Sequence, residues 1–428
     1  MNDYKQRVYD EILKFRLNTF GAVLITGPKG CGKTRTASEI AKSIVKFQDE
    51  DRRDYYLELA NSRPSKLLEG ENPRLFDEWQ DAPKIWGAIR TFCDDNPLEN
   101  GKFILTGSSS NSVKTPHTGT LRISELEMLP MSLYESGESS GEISLLNMFN
   151  HPGAFYPCEN KFDIDDIIFA VCRGGWPKSI VVNGNDEQLY VVKDLFKQTC
   201  TKDISNIDKI KRNPKWARAI LKSYARNICN LTDTKTIFTD ANLNCGLSET
   251  SFYEYVDALE RLCIIQDVEA WSPALRSASN VRSGPKRNLV DPSIAVAALG
   301  ASPETLKSDF NTLGFLFESL AIRDLKAYSA KLGGELSYYH DRYGLEADAV
   351  LHLEDGRYAL IEIKIGETLV DDAAAHLCEI EKLVKDFNIK YPKYKMNLPT
   401  FKMVITGTTN AKLRDDGVYV VPLTCLKP

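Results

Sequence analysis

The 428-residue sequence predicts a multidomain α/β protein led by a parallel sheet with helices on both faces. Three observations carry that prediction. An apolar, β-type run at Ala22–Thr26 enters a glycine-rich loop, and a helix-like segment, 36–47, leaves it. Further short β-type runs, at 55–59, 74–78 and 102–106, alternate with helical stretches through about residue 135. Beyond residue 300 the pattern changes to helix, three strands, helix, strand. A chain of this length exceeds one ordinary core, so several domains are expected.

The loop reads Gly27-Pro28-Lys29-Gly30-Cys31-Gly32-Lys33-Thr34, which fits G-x-x-x-x-G-K-[ST] at every fixed position. Glycines there let backbone N–H groups close around phosphates, and the following helix adds its positive dipole end. The expected nucleotide-binding residues are Gly27 to Thr34 together with Arg35. The expected ligand is ATP with Mg²⁺. Lys33 is assigned to the β/γ oxygens and the Thr34 hydroxyl to Mg²⁺. The run ending Phe76-Asp77-Glu78 places two acids at a strand end. Asp77 suits Mg²⁺, and Glu78 suits the base that polarises the attacking water. After the third strand come Thr106-Gly107-Ser108. A polar group there sits between γ-phosphate and water, with Ser108 the first choice and Thr106 the second.

Composition excludes several classes. Hydrophobic content of 43% and charged content of 26% fit a soluble globular chain. A net charge of −5 argues against a globally basic nucleic-acid binder. The ten cysteines form no C-x-x-C pair, as expected of thiols in a reducing compartment. Apolar runs such as 294–299 fall far short of the roughly 20 residues that span a bilayer. A cytoplasmic protein without membrane association is expected.

The middle of the chain carries mixed signals. Segments 162–172 and 190–196 read as helices of a lid. Residues 197–226 hold nine Lys or Arg against two Asp, which is either a phosphate-backbone track or a face complementing an acidic neighbour. Segment 238–265 resembles a helix-turn-helix with a wing, Ser248 capping its second helix. That helix carries Glu249, Glu254, Asp257 and Glu260 against Arg261 alone, so it is a poor major-groove reader. Tyr255, Leu259 and Leu262 at i, i+4, i+7 face a core. The basic loop 276–287 is a candidate backbone contact.

In the last part, a helix at 311–330 contains Glu318. Strands follow at 336–340, Glu346–Leu353 and Tyr358–Lys364, then a helix at 371–387 and a strand at 402–406. This order resembles the PD-(D/E)xK nuclease core. Glu362 and Lys364 lie two apart and share a strand face. In such a core Asp348 and Glu362 hold Mg²⁺, Lys364 positions water or stabilises developing charge, and Glu318 adds a carboxylate.

The segments 23–34, 67–80 and 103–108 resemble the start of a prokaryotic AAA-type ATPase. The likeness continues at 117–123, 128–133 and Arg173-Gly174-Gly175-Trp176-Pro177, and covers nearly the whole chain. In that family a C-terminal domain of unknown function 4143 follows the ATPase. The resemblance implies a P-loop NTPase of the ASCE/AAA type at 1–140, a helical lid at 141–232, a winged-helix-like module at 233–300 and a nuclease-like domain at 301–428. Relatives tend to read Gly-x-Gly-Arg near Arg122. Here Thr120-Leu121 follow Gly119, but Arg122 is retained and is a candidate phosphate-sensing arginine. The expected function is Mg²⁺-dependent ATP hydrolysis coupled to the C-terminal module. Alternatives are an ATP-gated DNA or RNA nuclease, and a nucleotide-dependent switch for a protein partner.

Overall fold

The computed structural model describes residues 4–107, 118–243, 245–273, 284–341 and 343–428. The chain divides into two compact units. The first comprises residues up to 130 with 202–211 and 257–264. The second comprises 131–201, 212–256 and 265–428.

The first unit is built on a five-stranded parallel sheet: β1 (Ala22–Thr26), β2 (Ser43–Lys46), β3 (Arg74–Asp77), β4 (Phe103–Thr106) and β5 (Ile123–Glu127). Its order is β2-β3-β4-β1-β5, so β4 lies between the strand that enters the glycine-rich loop and the strand that ends in Asp77. β1 and β4 are buried at every position, as expected of central strands covered on both faces. Helices α1 (Tyr9–Thr19), α2 (Lys33–Ile40), α3 (Arg53–Ser62) and α4 (Lys84–Asp95) complete the unit. Its core joins Leu24, Phe47, Phe76, Trp79, Trp86, Ile89 and Phe103.

Two local expectations fail here. The helix expected over 36–47 stops at Ile40, and 43–46 is the edge strand β2 instead. The expected strand at 55–59 is part of α3. Both errors follow from reading short apolar runs by residue type. Val45 is buried on β2 while Ile44 is exposed, a two-residue alternation too short to stand out. In α3, Tyr56, Leu57 and Leu59 pack onto the sheet core, and packing overrides the β preference of the tyrosines.

The second unit holds a six-stranded sheet: β7 (Gly334–His340), β8 (Glu346–Leu353), β9 (Tyr358–Lys364), β10 (Phe401–Thr406), β11 (Lys412–Leu413) and β12 (Val418–Pro422), ordered β11-β12-β10-β9-β8-β7. A small parallel pair joins β6 (Ile143–Ser144) to β13 (Leu426–Lys427). Helix Phe310–Lys331 packs along β7, β8 and β9, and helix Val370–Lys390 along β9 and β10. The latter helix and the sheet share a core of Leu360, Val404, Val420, Ala374 and Leu377. Every element expected after residue 310 is present.

Helices Ile164–Arg173 and Asn185–Gln198 pack on helix Pro292–Leu299. Helices Thr234–Asn242 and Glu249–Arg261 follow, with the Ser248 hydroxyl accepting the Ser251 amide. Tyr255, Leu259 and Leu262 are buried. Antiparallel bridges Ile265–Leu289 and Val268–Lys286 form a ribbon after the second helix.

The Arg173-Gly174-Gly175-Trp176-Pro177 stretch is a packing hub. A side chain at Gly175 would meet the Met131 carbonyl oxygen at 2.0 Å. The Gly175 amide donates to Asp291, which also accepts from Arg323 at 2.9 Å. Arg323 and Asp324 are fully buried, and Asp324 in turn accepts the Leu133 amide. Arg173 grips Glu138 through two parallel hydrogen bonds of 2.8 and 2.6 Å.

Candidate functional site

The glycine-rich loop connects β1 to α2, and its shape is set by glycine backbone freedom. Gly30 and Gly32 have φ of 84° and 106°, the left-handed region that favours glycine. At Gly27 a side chain would meet the Met128 carbonyl oxygen at 2.1 Å. Lys33 is 6% exposed and donates to the Gly27 and Pro28 carbonyls at 2.9 Å each. Its partners are neutral dipoles, so its charge is not cancelled. Thr34, at the start of α2, donates to Asp77 Oδ1 at 2.7 Å. Thr106, at the end of β4, donates to the same oxygen at 2.6 Å. Thr34, Asp77 and Thr106 thus converge from three elements. The hydroxyl and carboxylate at one point are the donor set that suits Mg²⁺.

Glu78 follows Asp77 in a left-handed conformation, φ 56°. It accepts from the Gln80 amide. Burial pushes its carboxyl up, while Gln80 and the Lys33 charge pull it back. A carboxyl raised in this way is suited to take a proton. Ser108 lies outside the described residues.

Two expected residues stand away from this group. β5 runs parallel to β1 with Ile123 beside Ala22 and Glu127 beside Thr26. Arg122 therefore precedes the strand start, while the loop follows the strand end, about 16 Å away over five residues. Its Nε pairs with Asp94 at 2.7 Å. The structure does not bring it to the phosphate loop. Arg35 points along α2, pairing with Glu39 at 2.7 Å and lying over the Tyr4 ring.

Sequence reasoning missed three parts of the site. Arg7 is buried and donates to the Cys31 and Leu129 carbonyls at 2.8 Å, bracing the loop. Lys29 pairs with Asp203 at 3.0 Å, and Arg261 with Asp208 at 3.5 Å. Segments 202–211 and 257–264 thus belong with the five-stranded sheet. Both acids of the basic stretch 197–226 are paired there, and Arg226 is paired with Asp240. No local motif marks these residues; only three-dimensional proximity does.

The residues expected at the second site do come together. Asp348 accepts from Lys364 at 3.0 Å and from the Ile363 amide at 2.8 Å. Lys364 also contacts Glu362 at 2.6 Å. Lys286, absent from the sequence-derived set, reaches Glu318 at 2.8 Å and Asp348 at 3.4 Å. Burial pushes the Glu318 and Glu362 carboxyls up. Burial also acts on Asp348, but Lys286 and Lys364 outweigh it and hold that carboxyl down. This donor set does not fit a divalent cation. Two ammonium groups already lie among three carboxylates, and among the described residues no cluster of His, Cys, Asp or Glu is arranged to hold a metal ion. Asp348 and Glu362, expected from sequence to hold Mg²⁺, each contact a lysine here. The loop 276–287 is corrected in part: Lys286 and Arg287 are buried rather than free to meet a backbone, and Arg287 pairs with Asp267 at 2.6 Å. Residues 276–283 lie outside the described residues.

Comparison with known proteins places these sites in named regions. Residues 19–137 match the model of an AAA domain. Residues 313–426 match a domain of unknown function, DUF4143, and residues 164–305 another, DUF8612. No curated protein matches the chain. Among solved structures, it is similar to the Walker-type ATPase of Pyrococcus abyssi, with 15% identity over 69% of this chain and 96% of that one, TM-score 0.43. It is also similar to a signal transduction ATPase with numerous domains and a tetratricopeptide repeat sensor from Pyrococcus horikoshii. There identity is 12% over 76% of this chain and 48% of that one, TM-score 0.22. Among the described residues no helix is long and apolar enough to cross a membrane.

Proposed function

For a chain that carries an AAA domain and a C-terminal DUF4143 domain, we propose that the phosphate loop binds and hydrolyses ATP with Mg²⁺, and that the C-terminal module binds a partner instead of cutting nucleic acid. The observation that carries the reading is the single Asp77 oxygen reached by both Thr34 and Thr106, with Lys33 beside it on neutral carbonyls. Backbone N–H groups of the loop cradle the phosphates, and Lys33 exchanges its two carbonyls for β/γ oxygens. Thr34 and Asp77 would hold Mg²⁺, which would supply charge neutralisation for the phosphates. Glu78 orients the attacking water and accepts its proton as the oxygen–phosphorus bond forms and the bridge to ADP breaks. Thr106 holds Asp77 in place.

We keep the four working parts, 1–140, 141–232, 233–300 and 301–428, as the modules through which nucleotide state is read out. A nucleotide-dependent switch is favoured over a gated nuclease because the C-terminal carboxylates are already paired with lysines. The test is Mg²⁺-dependent release of phosphate from ATP by the wild type and by Lys33→Ala. Hydrolysis lost in the variant is expected. Equal binding and turnover by both proteins would sink the proposal.

A further inference from the structure

The C-terminal carboxylate cluster contains a cation of its own. Glu318 comes from the helix Phe310–Lys331, Asp348 from β8 and Glu362 from β9. All three are buried, at 8%, 3% and 1% exposure. Lys286 comes from none of these elements. It arrives on the return strand of the 265–289 ribbon, 3% exposed, and its ammonium lies 2.8 Å from Glu318 and 3.4 Å from Asp348.

The arrival is built into the backbone. Lys286 and Val268 exchange both N–H···O bonds at 2.9 Å. On one side of it Leu289 bridges Ile265, and on the other the Tyr338 hydroxyl donates to the Gly284 carbonyl. The ammonium also lies 5.9 Å from the Tyr338 ring centroid, within cation–π range. The backbone pairing fixes where the side chain starts, and burial at 3% exposure confines its ammonium among these groups.

A second observation marks the place as one that takes a cation. Glu362 Oε1 is buried and has no hydrogen-bond partner. A buried carboxylate oxygen without a donor is costly, and it persists where a positive ligand can satisfy it. Lys364 contacts only the other oxygen, Oε2.

We propose that Lys286 is an internal counter-ion that takes the position of a divalent cation among Glu318, Asp348 and Glu362, and so closes this cluster to metal while residues 284–289 stay seated. With Lys286 present, two ammonium groups face three carboxylates. A divalent cation entering beside them meets like charge and has no free pair of carboxylates to bind. Without Lys286, three carboxylates face Lys364 alone. The excess negative charge and the free Glu362 oxygen then form a hard-oxygen site for a divalent cation. Residues 284–289 hold this counter-ion in place through the ribbon, and the proposal is independent of the ATPase reading.

The experiment is titration of the full-length protein with Mn²⁺ alone, nucleotide absent, followed by electron paramagnetic resonance and by thermal melting. Wild type, Lys286→Met, Lys286→Gln and the paired variant Lys286→Met/Glu318→Leu are each compared with the same protein carrying Glu362→Gln. That second substitution separates this cluster from Mn²⁺ bound at Thr34 and Asp77. Wild type is expected to bind equally with and without Glu362→Gln. Lys286→Met and Lys286→Gln are each expected to gain one further Mn²⁺ per chain and a Mn²⁺-dependent rise in melting temperature, both lost on adding Glu362→Gln. The paired variant keeps the wild type's excess of one carboxylate over ammonium groups and is expected to gain no site, while Lys286→Gln keeps the idea testable if Lys286→Met fails to fold. Wild-type Mn²⁺ binding that depends on Glu362 would overturn the proposal. So would folded Lys286→Met or Lys286→Gln protein that gains no site.

Discussion

Lys33 and Lys286 are both buried, at 6% and 3% exposure, and both lie in reach of acidic residues. Their partners differ. Lys33 donates to two backbone carbonyls, which orient it without cancelling its charge. Lys286 donates to Glu318 and Asp348, which cancel it. The carboxylates differ in parallel. Asp77 accepts from two neutral hydroxyls, whereas Asp348 accepts from two ammonium groups. One site pairs its lysine and aspartate with neutral groups, as the proposed binding of phosphate and Mg²⁺ requires. The other is matched internally. Acids and lysines in a cleft therefore do not by themselves make an active site; whether their charges are already paired decides what remains for a ligand.

The largest effect expected from breaking this contrast is at Glu78. Glu78→Gln keeps the shape and the Gln80 neighbour but removes the proton acceptor. ATP turnover should fall by about 100-fold or more, the usual range for a lost general base, with ATP binding retained. Lys364→Met, its counterpart in the other site, should leave turnover within about twofold, as expected of a residue outside the phosphate loop. Phosphate release and nucleotide binding measured on both variants check the pair. A turnover loss at Lys364 equal to that at Glu78 would erase the distinction.

Next in size is stability. Lys286→Met strands Glu318 beside Asp348 in a buried place, and one-sided loss of a buried ion pair costs about 3–5 kcal/mol. The paired replacement Lys286→Met/Glu318→Leu should recover most of it, because matched apolar groups need no counter-ion. Urea unfolding of the three proteins reads this directly. Recovery absent in the paired variant would mean that Lys286 packs more than it pairs.

A smaller effect is expected at Arg7. Its removal leaves the Cys31 and Leu129 carbonyls without their donor, a cost of about 1–3 kcal/mol. Arg7→Met should raise KM for ATP more than it lowers kcat, because the loop that holds the phosphates loosens while Glu78 stays in place. An unchanged KM with a lowered kcat would assign Arg7 to the chemistry instead.

Much of this was legible in the sequence, for uneven reasons. The phosphate loop follows a fixed spacing because its glycines obey backbone geometry, so eight consecutive residues suffice to read it. Strands β7 to β10 were legible because alternating or continuous apolar runs leave a clear pattern, but β12 was missed although it is buried at every position, since the strands expected from sequence end at residue 406. The edge strand β2 was not, since four residues with one buried position carry almost no pattern. Arg7, Asp203 and Lys286 escaped for another reason. Each reaches its site across tens to more than a hundred residues, and a lone charge has no periodicity to announce where it folds to. Asp348, Glu362 and Lys364 were visible as a group, and Lys286, which pairs with Asp348 and Glu318, was not.

Arg122 supplies the smallest expected effect and the sharpest check on the nucleotide half of the comparison. Sequence alone places it as a phosphate sensor. The register of β5 on β1 places it at the opposite strand end, on Asp94. Both side chains of that pair are partly exposed, and pairs of this kind contribute at most about 1 kcal/mol. Arg122→Ala should therefore leave kcat and KM for ATP within about twofold and shift stability by less than about 1 kcal/mol. A loss of turnover approaching that of Glu78→Gln would require Arg122 to act at phosphate. No side chain bridges five residues of strand within one sheet, so the phosphate would then have to be that of a neighbouring copy of the chain.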